Sequence, residues 1–585
     1  GMGQSFESAN KKKSAGNFNG QITFSDSTTG FTYRPFWLND TLYLEETKVL
    51  RDSTYKRVER IDYIIGSGHH TNSHIINRNG YLYQAPFTFY TQEGKLYLPP
   101  GFEKGYNTHF TRALGMECIS CHNAYPEHLT GSLNKYKFIP EGIDCERCHG
   151  PGELHVKEKM AGKMVDIVND TDFSIVNPKK LSYQYQIDVC QRCHLQGNAL
   201  LKPNKTWNDF KPGMRLNEVM DVFMPVFKNE TGPFVMAAHP DRLAKSKCFI
   251  ESQNDDRVES MTCITCHNPH QSVRKTKQSY FNAKCANCHQ GAKLKLCSYQ
   301  NTNENCVNCH MKSSSTADIP HVSVTDHFIR VYDENENKQH NHNSENSIIG
   351  LQCLTQVSPS NTLKISAYLN YLEKFNYQPA IKDSLEKLVT AESNQLTTDQ
   401  LIHYYFLNGW YSKITKLSKR FSIKSSNYNC HYHIAFAYER ENNLDSAIKR
   451  LKRVLELQPL MHDYAIELSE VYLKQGNTKA AFKQLNLVLN EQPWNTKALN
   501  AKAFAHLLRF ELTRAEIDLE NALSLSQKAL SNDPENTKAI LTKAKVSLAK
   551  NDLATAEKEL LYLLHLDPKN RNAEVILEQL KQVKE

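Results

Sequence analysis

Cys118-Ile119-Ser120-Cys121-His122 is the stretch on which the reading of this chain turns. Two cysteines are separated by two residues and followed directly by histidine. The same word returns as Cys145/Cys148/His149, Cys190/Cys193/His194, Cys263/Cys266/His267, Cys285/Cys288/His289 and Cys306/Cys309/His310, and it uses twelve of the sixteen cysteines. The pattern is that of a c-type haem attachment site. The two thiols add across the porphyrin vinyl groups, and the next residue brings an imidazole under the iron. A CxxC pair alone also serves zinc or dithiol chemistry, but neither needs histidine in the next position. With 24 histidines in 585 residues, six hits in six by accident have odds on the order of one in 10^8. Zinc ribbons also want paired CxxC units at short, regular separations, whereas the gaps here run from short to very long. Haem c is therefore the expected cofactor, with six covalent sites visible.

At 585 residues the chain holds more than one domain. The net charge of +8 is mild and spread out, and gives no basis for nucleic-acid binding. Haem propionates would move the loaded protein toward neutral or acidic. No apolar run is long enough to span a bilayer. The opening Gly1-Met2-Gly3-Gln4-Ser5-Phe6 lacks the basic start and apolar core of a secretory leader. Haem is nevertheless attached to such motifs outside the cytoplasm in bacteria. The expected location is periplasmic, extracellular or at the cell surface, in a chain that is mature, truncated or begun at the wrong methionine. Gly1 ahead of Met2 fits the remnant of an expression tag.

Four regions follow from the pattern. Residues 1–117 carry no attachment motif; alternating apolar stretches from Gln21 to Leu50, and turn material around Gly80 and Gly101, make them a strand-bearing shoulder of the cytochrome domain. Residues 118–330 hold the six motifs on short helices joined by loops. Their hydrophobic periodicity is poor, as expected if haem supplies much of the apolar interior. Residues 331–362, with Asp333 to Asn346 polar and repetitive, read as a linker. From 363 to 585 the pattern is amphipathic helix. Prolines at 459, 493, 534 and 568 are separated by 34, 41 and 34 residues, and a 34-residue period marks tetratricopeptide (TPR) helix pairs. Ala435, Tyr438, Ala447, Leu451 and Val454 fill the expected small and large positions of one unit; Tyr472, Gly476, Ala481, Leu485 and Val488 fill those of the next; Ala544, Ala556, Leu560 and Leu563 fill those of the last. The longer gap implies extra residues near Asp518 to Ser526, and 363–430 reads as two degenerate helix pairs. The fold class is thus mainly α: a loop-rich multihaem domain with a small β-containing N-terminal part, then an α-solenoid.

The second axial ligand decides the class of function. Haem with histidine on both faces is a low-potential electron carrier, whereas an open face permits small-molecule chemistry. Eighteen of the 24 histidines precede position 345, and twelve of those lie outside the motifs. His155, six residues after His149, and His270, three after His267, cannot reach the far face of the haem their neighbour holds. Each must serve another haem or none. With His122, His149, His194, His267, His289 and His310 as motif ligands, the distal candidates are His70, His155, His239, His270, His321 and His327. His74 stands in reserve, His109 and His128 rank lower, and His340 and His342 read as solvated linker. No CxxCK variant is present. Cys248 and Cys297 lie outside the motifs and read either as a pair or as buried thiols; Cys353 and Cys430 carry no signal.

The stretches Ile65-Gly-Ser-Gly-His-His70, Glu117 to Pro126, Cys145 to His155, Val189 to His194, His239, Lys245 to Cys248, Met261 to His270, Cys306 to Met311 and His321 to Arg330 carry a resemblance. They are similar to multihaem c-type cytochromes related to the tetrahaem partner of hydroxylamine oxidoreductase, and more closely to members fused to C-terminal tetratricopeptide repeats. The resemblance covers residues 60–330 well and the repeats more generically. It implies electron transfer; histidines that serve a neighbouring haem would hold the haems close together, and the repeats are expected to dock a redox partner or assembly protein. It also implies a further CxxCH ahead of a segment like Gly1–Phe6. Loss of that motif by truncation would make the intact protein a seven-haem one; a haem-less vestige is the rival. A second class of function is an oxidoreductase with one open-coordination haem that reduces a small nitrogen or sulfur compound. A third is a scaffold with unloaded motifs.

Overall fold

The computed structural model describes residues 2–51, 53–228, 234–254, 259–289, 305–332, 347–375, 378–420 and 425–584. The chain divides into two compact units: residues 1–44, 59–128 and 134–396 form the first, and residues 45–58, 129–133 and 397–585 form the second.

The first unit begins with an antiparallel sheet in the order Phe6–Ser8, Tyr63–Ile65, Thr71–Arg78, Tyr81–Tyr90 and Arg112–Ala113, with Lys95–Tyr97 also paired to the long strand. Its central hairpin turns at Asn79-Gly80, with φ of 53° and 86°, while Arg78 faces Tyr81. Both turn positions need left-handed backbone, which Asn-Gly supplies at least cost. A side chain at Gly80 would also meet the Tyr136 carbonyl at 2.6 Å. The sheet's inner face gathers Phe6, Ile75, Leu82, Leu114 and Tyr136 around Ile119. Ile119 lies inside the first CxxCH word, so this core anchors the first attachment turn.

Beyond the sheet the unit becomes loop-rich. The motif helices are short: Met116–Ile119, Glu146–His149, Cys263–Cys266 and Cys306–His310 span a turn or so, and Tyr183–His194 and Gln278–Cys288 are longer. The helices Cys263–Cys266, Gln278–Cys288 and Cys306–His310 bury no residue. A three-stranded sheet, Asn198–Leu201, Met220–Phe227 and Ile348–Cys353, closes the unit. Its last strand lies in the stretch read from sequence as linker; residues 333–346 of that stretch, with His340 and His342, are outside the described residues. Phe223 and Cys353 pack with Ala367 of the helix Asn361–Lys374. That helix and Pro379–Ala391 group with the first unit, whose boundary falls at residue 396.

The second unit is a run of antiparallel helix pairs: Thr398–Leu407 with Tyr411–Arg420, Tyr428–Arg440 with Leu444–Leu457, His462–Lys474 with Thr478–Glu491, Thr496–Thr513 with Glu516–Asn532, and Thr537–Ala549 with Leu553–Leu566, followed by Arg571–Lys584. Asn427, Asn443, Asn477, Asn495, Asn536 and Asp552 each cap a helix N-terminus through the side chain. Within the pairs the chain turns through left-handed residues at Asn442, Gly476, Arg514 and Asn551. The small and large positions of the repeat meet in the interior: Ala435, Ala447, Leu451, Leu468, Tyr472 and Ala481 in one cluster, and Ala544, Ala556, Leu560 and Leu563 in another. The extra residues of the 41-residue unit, expected near Asp518 to Ser526, are spread over the helix pair. They lengthen both helices of the pair, to 18 and 17 residues, about the turn at Arg514. The lengthened pair is pinned where the His506 ring nitrogen Nδ1 lies 2.6 Å from the Asp518 carboxylate, which also accepts from Arg509. Tyr55 and Arg57, on the hairpin segment 45–58, donate to the Asn532 carbonyl at 3.3 and 2.7 Å, beside a Lys48–Glu535 ion pair. Among the described residues, no helix is long and apolar enough to cross a membrane.

Candidate haem-binding site

The six motifs place their cysteines at helix ends, and all fifteen described cysteines are free thiols. Sulfurs of different motifs lie together. Cys193 hydrogen-bonds Cys121, whose thiol is pulled down to about 6, while Cys193 is pushed up. Cys190 makes the same kind of contact with Cys263, and Cys285 with Cys306. These thiols stand for the thioether sulfurs of a loaded protein, so motifs one, three and four, and separately five and six, would meet at their sulfur edges. Cys248 is a half-buried thiol pushed up by burial; Cys297 is outside the described residues. Cys353 and Cys430 are buried core residues.

Histidines converge in pairs that draw one ring from a motif and one from elsewhere. His149 faces His270 with ring centres 5.9 Å apart and planes 10° from parallel. His194 faces His239 at 5.7 Å and 25°, and His267 faces His327 at 6.1 Å and 31°. Two metal–imidazole bonds of about 2 Å on opposite sides of one ion put the ring centres about 6 Å apart. All three pairs meet that spacing. His239 also packs against His327 at 4.5 Å, so two of the pairs touch through their non-motif rings.

The tautomers fit as well. His149 Nδ1 lies 2.9 Å from the Val176 carbonyl, His310 Nδ1 3.0 Å from that of Arg330 and His327 Nδ1 3.1 Å from that of Thr325. A carbonyl at Nδ1 holds the proton there and leaves Nε2 with a lone pair for metal. Burial pushes His122 and His327 down to about 4 and His194 below the ordinary histidine range. His239 is lowered by burial and by its histidine neighbours, and its Nδ1 is buried without a hydrogen bond. These imidazoles are neutral at physiological pH, as ligation requires.

The other candidates differ. His70 is partly buried, with an Nδ1 that has no hydrogen-bond partner. His155 Nδ1 sits 2.9 Å from the Ser174 hydroxyl and 3.4 Å from Asp172. His321 has both ring nitrogens engaged, Nδ1 by Glu93 at 2.9 Å and Nε2 by Lys95 at 3.4 Å. His289 caps the helix Gln278–Cys288. His74, the reserve, is a core residue stacked on Phe87 at 3.7 Å. His109 and His128 pack edge-on against Phe31 and Tyr136.

Two arginines escaped the sequence reading. Arg147 and Arg192 occupy the same place in motifs two and three, between the cysteines, and are only 7% and 6% exposed. Arg147 Nε donates to the Asn123 carbonyl at 3.1 Å; Arg192 Nη2 donates to the Ser120 hydroxyl at 2.9 Å, and its Nη1 lies 3.6 Å from Cys121 Sγ. Both therefore grip the first attachment turn. The residues between motif cysteines vary freely in a CxxCH pattern, so nothing in the sequence singles these two out.

No family model matches the chain. It is similar to the multiheme cytochrome MtrA of Shewanella baltica (strain OS185), at 26% identity over 191 residues. That match takes in 30% of this chain and 54% of MtrA, so the chain spans about half the length of the curated relative it matches. Among solved structures, a thermophilic TPR protein of Thermus thermophilus is 18% identical, over 27% of this chain and 83% of that one, with a TM-score of 0.26. MamA from Desulfovibrio magneticus RS-1 is 19% identical, over 29% of this chain and 93% of that one, with a TM-score of 0.25. The chain thus joins a region with six CxxCH motifs, in a protein similar to a multiheme cytochrome, to an array of helix pairs that repeat at 34 residues except for one longer unit.

Proposed function

We infer that this chain is a multihaem c-type cytochrome that carries electrons through closely spaced, mostly bis-histidine haems. The observation that carries the reading is the set of three histidine pairs at axial spacing, each joining one motif to a ring distant in sequence. Each haem c would supply a one-electron iron couple. Cys118, Cys121, Cys145, Cys148, Cys190, Cys193, Cys263, Cys266, Cys285, Cys288, Cys306 and Cys309 would hold the six porphyrins. His122, His149, His194, His267, His289 and His310 are the motif ligands. His270, His239 and His327 are the distal ligands of the second, third and fourth haems, and His70, His155 and His321 are the candidates for the rest. His321 must release Glu93 or Lys95 to serve. The thiols gather in twos, whereas structural zinc wants four donors on one ion, which also supports the haem reading.

The motif helices that bury nothing of their own fit a domain whose interior is porphyrin. The helix-pair array offers a repetitive surface on which a redox partner protein docks. Thioether attachment places the working protein in the periplasm or at the cell surface. The test is His239→Ala in chain matured in a c-haem-competent host. One haem should change from low-spin to high-spin in the optical and EPR spectra while the number of attached haems stays the same. An unchanged low-spin spectrum would remove His239 from the iron and the pairing with it.

A further inference from the structure

We propose that Arg147 and Arg192 make the haem couple joined at Cys121 and Cys193 the highest-potential pair in the chain, the place where electrons collect. This rests on the haem reading above.

Both guanidiniums lie in the interior of the first unit. Arg147 stacks on Tyr125 at 4.0 Å and donates to Asn123 and to Asn208 Oδ1, the latter at 3.2 Å. Arg192 donates to Ser120 and to the Trp207 carbonyl, and its Nε is buried with no partner. In a loaded protein, where Cys121 is a thioether, every partner of the two guanidiniums is neutral: among the described residues, neither guanidinium meets a carboxylate at ion-pair distance, and the Asp144 carboxylate accepts only from the Arg147 backbone amide, at 3.3 Å. The two also feel one another's charge. Two other arginines near the site hold carboxylates. Arg242, on the helix that begins with His239, holds Asp326 with Nε 2.8 Å from the carboxylate; Arg215 holds Asp188 at 2.5 Å.

A buried, unpaired cation is costly, and its field is weakly screened. That field falls on the Cys121 and Cys193 sulfurs, the edge at which two porphyrins would be joined to the chain. Propionates lie on the opposite edge of the ring. Positive charge stabilises the reduced iron, which carries one positive charge less than the oxidised iron. A unit charge about 10 Å from a redox centre, at an effective dielectric of about 20, shifts the reduction equilibrium roughly tenfold. The sign survives a propionate reaching the arginines: deleting the cation would then leave that carboxylate unpaired, and the potential would still fall.

The test is a spectroscopic potentiometric titration of the fully matured chain and three variants. Arg192→Gln removes the charge. Asn208→Asp keeps Arg147 and supplies the missing carboxylate beside it. Arg192→Lys keeps the charge and alters the shape. The highest-potential step should move to lower potential in Arg192→Gln and Asn208→Asp, by about tenfold in the reduction equilibrium, and stay near its original place in Arg192→Lys. Haem number, from intact mass, and the low-spin spectrum should not change. If Arg192→Gln loads poorly, the other two variants decide. Superimposable titrations, a shift confined to the low-potential steps, or equal shifts in the Lys and Gln variants would overturn the proposal. A wild-type chain without six haems would instead overturn the haem reading.

Discussion

The helix Leu444–Leu457 buries Ala447, Ile448, Leu451 and Val454; the helix Gln278–Cys288, nearly as long, buries nothing. One belongs to an array that makes its own interior from side chains at fixed spacing. The other belongs to a region whose cysteines and histidines leave the interior to something else. Two routes to a folded unit thus share one chain. Apolar side chains supply the interior of the repeats; in the proposed reading, covalent porphyrin supplies it where the polypeptide has too few apolar side chains to bury.

The largest effect that would break this contrast is loss of haem. Chain produced without haem maturation should lose fixed tertiary structure across residues 118–330 while the helix pairs from 428 to 584 stay protected, as read by hydrogen exchange with mass spectrometry. Protection of the motif helices in the haem-free chain would show that they have an interior of their own. Next comes a cavity in the array. Leu485 is fully buried between helix pairs, and Leu485→Ala should destabilise the array by about 2–5 kcal/mol in denaturant unfolding, with the haem spectrum unmoved.

A smaller effect concerns pH. Burial and the neighbouring Glu439, Glu470 and Asp463 push Glu467 up to about 7, against a hydrogen bond from Tyr432. The folded array therefore binds a proton that the unfolded chain releases, and stability falls as pH rises from the ordinary glutamate range through about 7. Glu467→Gln should remove that fall and stabilise the array at pH 8 by up to about 2 kcal/mol; equal pH profiles would contradict it. The smallest is a cap. The Asn477 side chain accepts from the Ala480 amide, and Asn477→Ala should cost about 1 kcal/mol, read as a lower array unfolding midpoint.

The two regions also differ in how far they could be read from residues. Pro459, Pro493 and Pro568 mark helix pairs because a stacked repeat must return to the same local geometry every 34 residues, so the order is written locally. The 41-residue unit announces extra length but not its distribution, because one lengthened helix and two leave the same gap between prolines. In the first unit the attachment words are local, and each is legible alone. The pairing of His149 with His270 is not, since it depends on the path of 120 intervening residues whose apolar pattern is weak. The strand Ile348–Cys353 went unread for a related reason: it sits just after a polar run and pairs with Met220–Phe227, far back in the chain. The carbonyls of Val176 and Arg330, which orient two motif imidazoles, are main-chain groups and leave no trace in residue identity.

The most direct test of the account is the intact mass of the chain secreted from a host with c-type haem maturation. Six porphyrins covalently added to the polypeptide is the result expected from the twelve motif cysteines. A well-folded chain with no porphyrin added, its cysteines bound to zinc or bridged to one another, would contradict it.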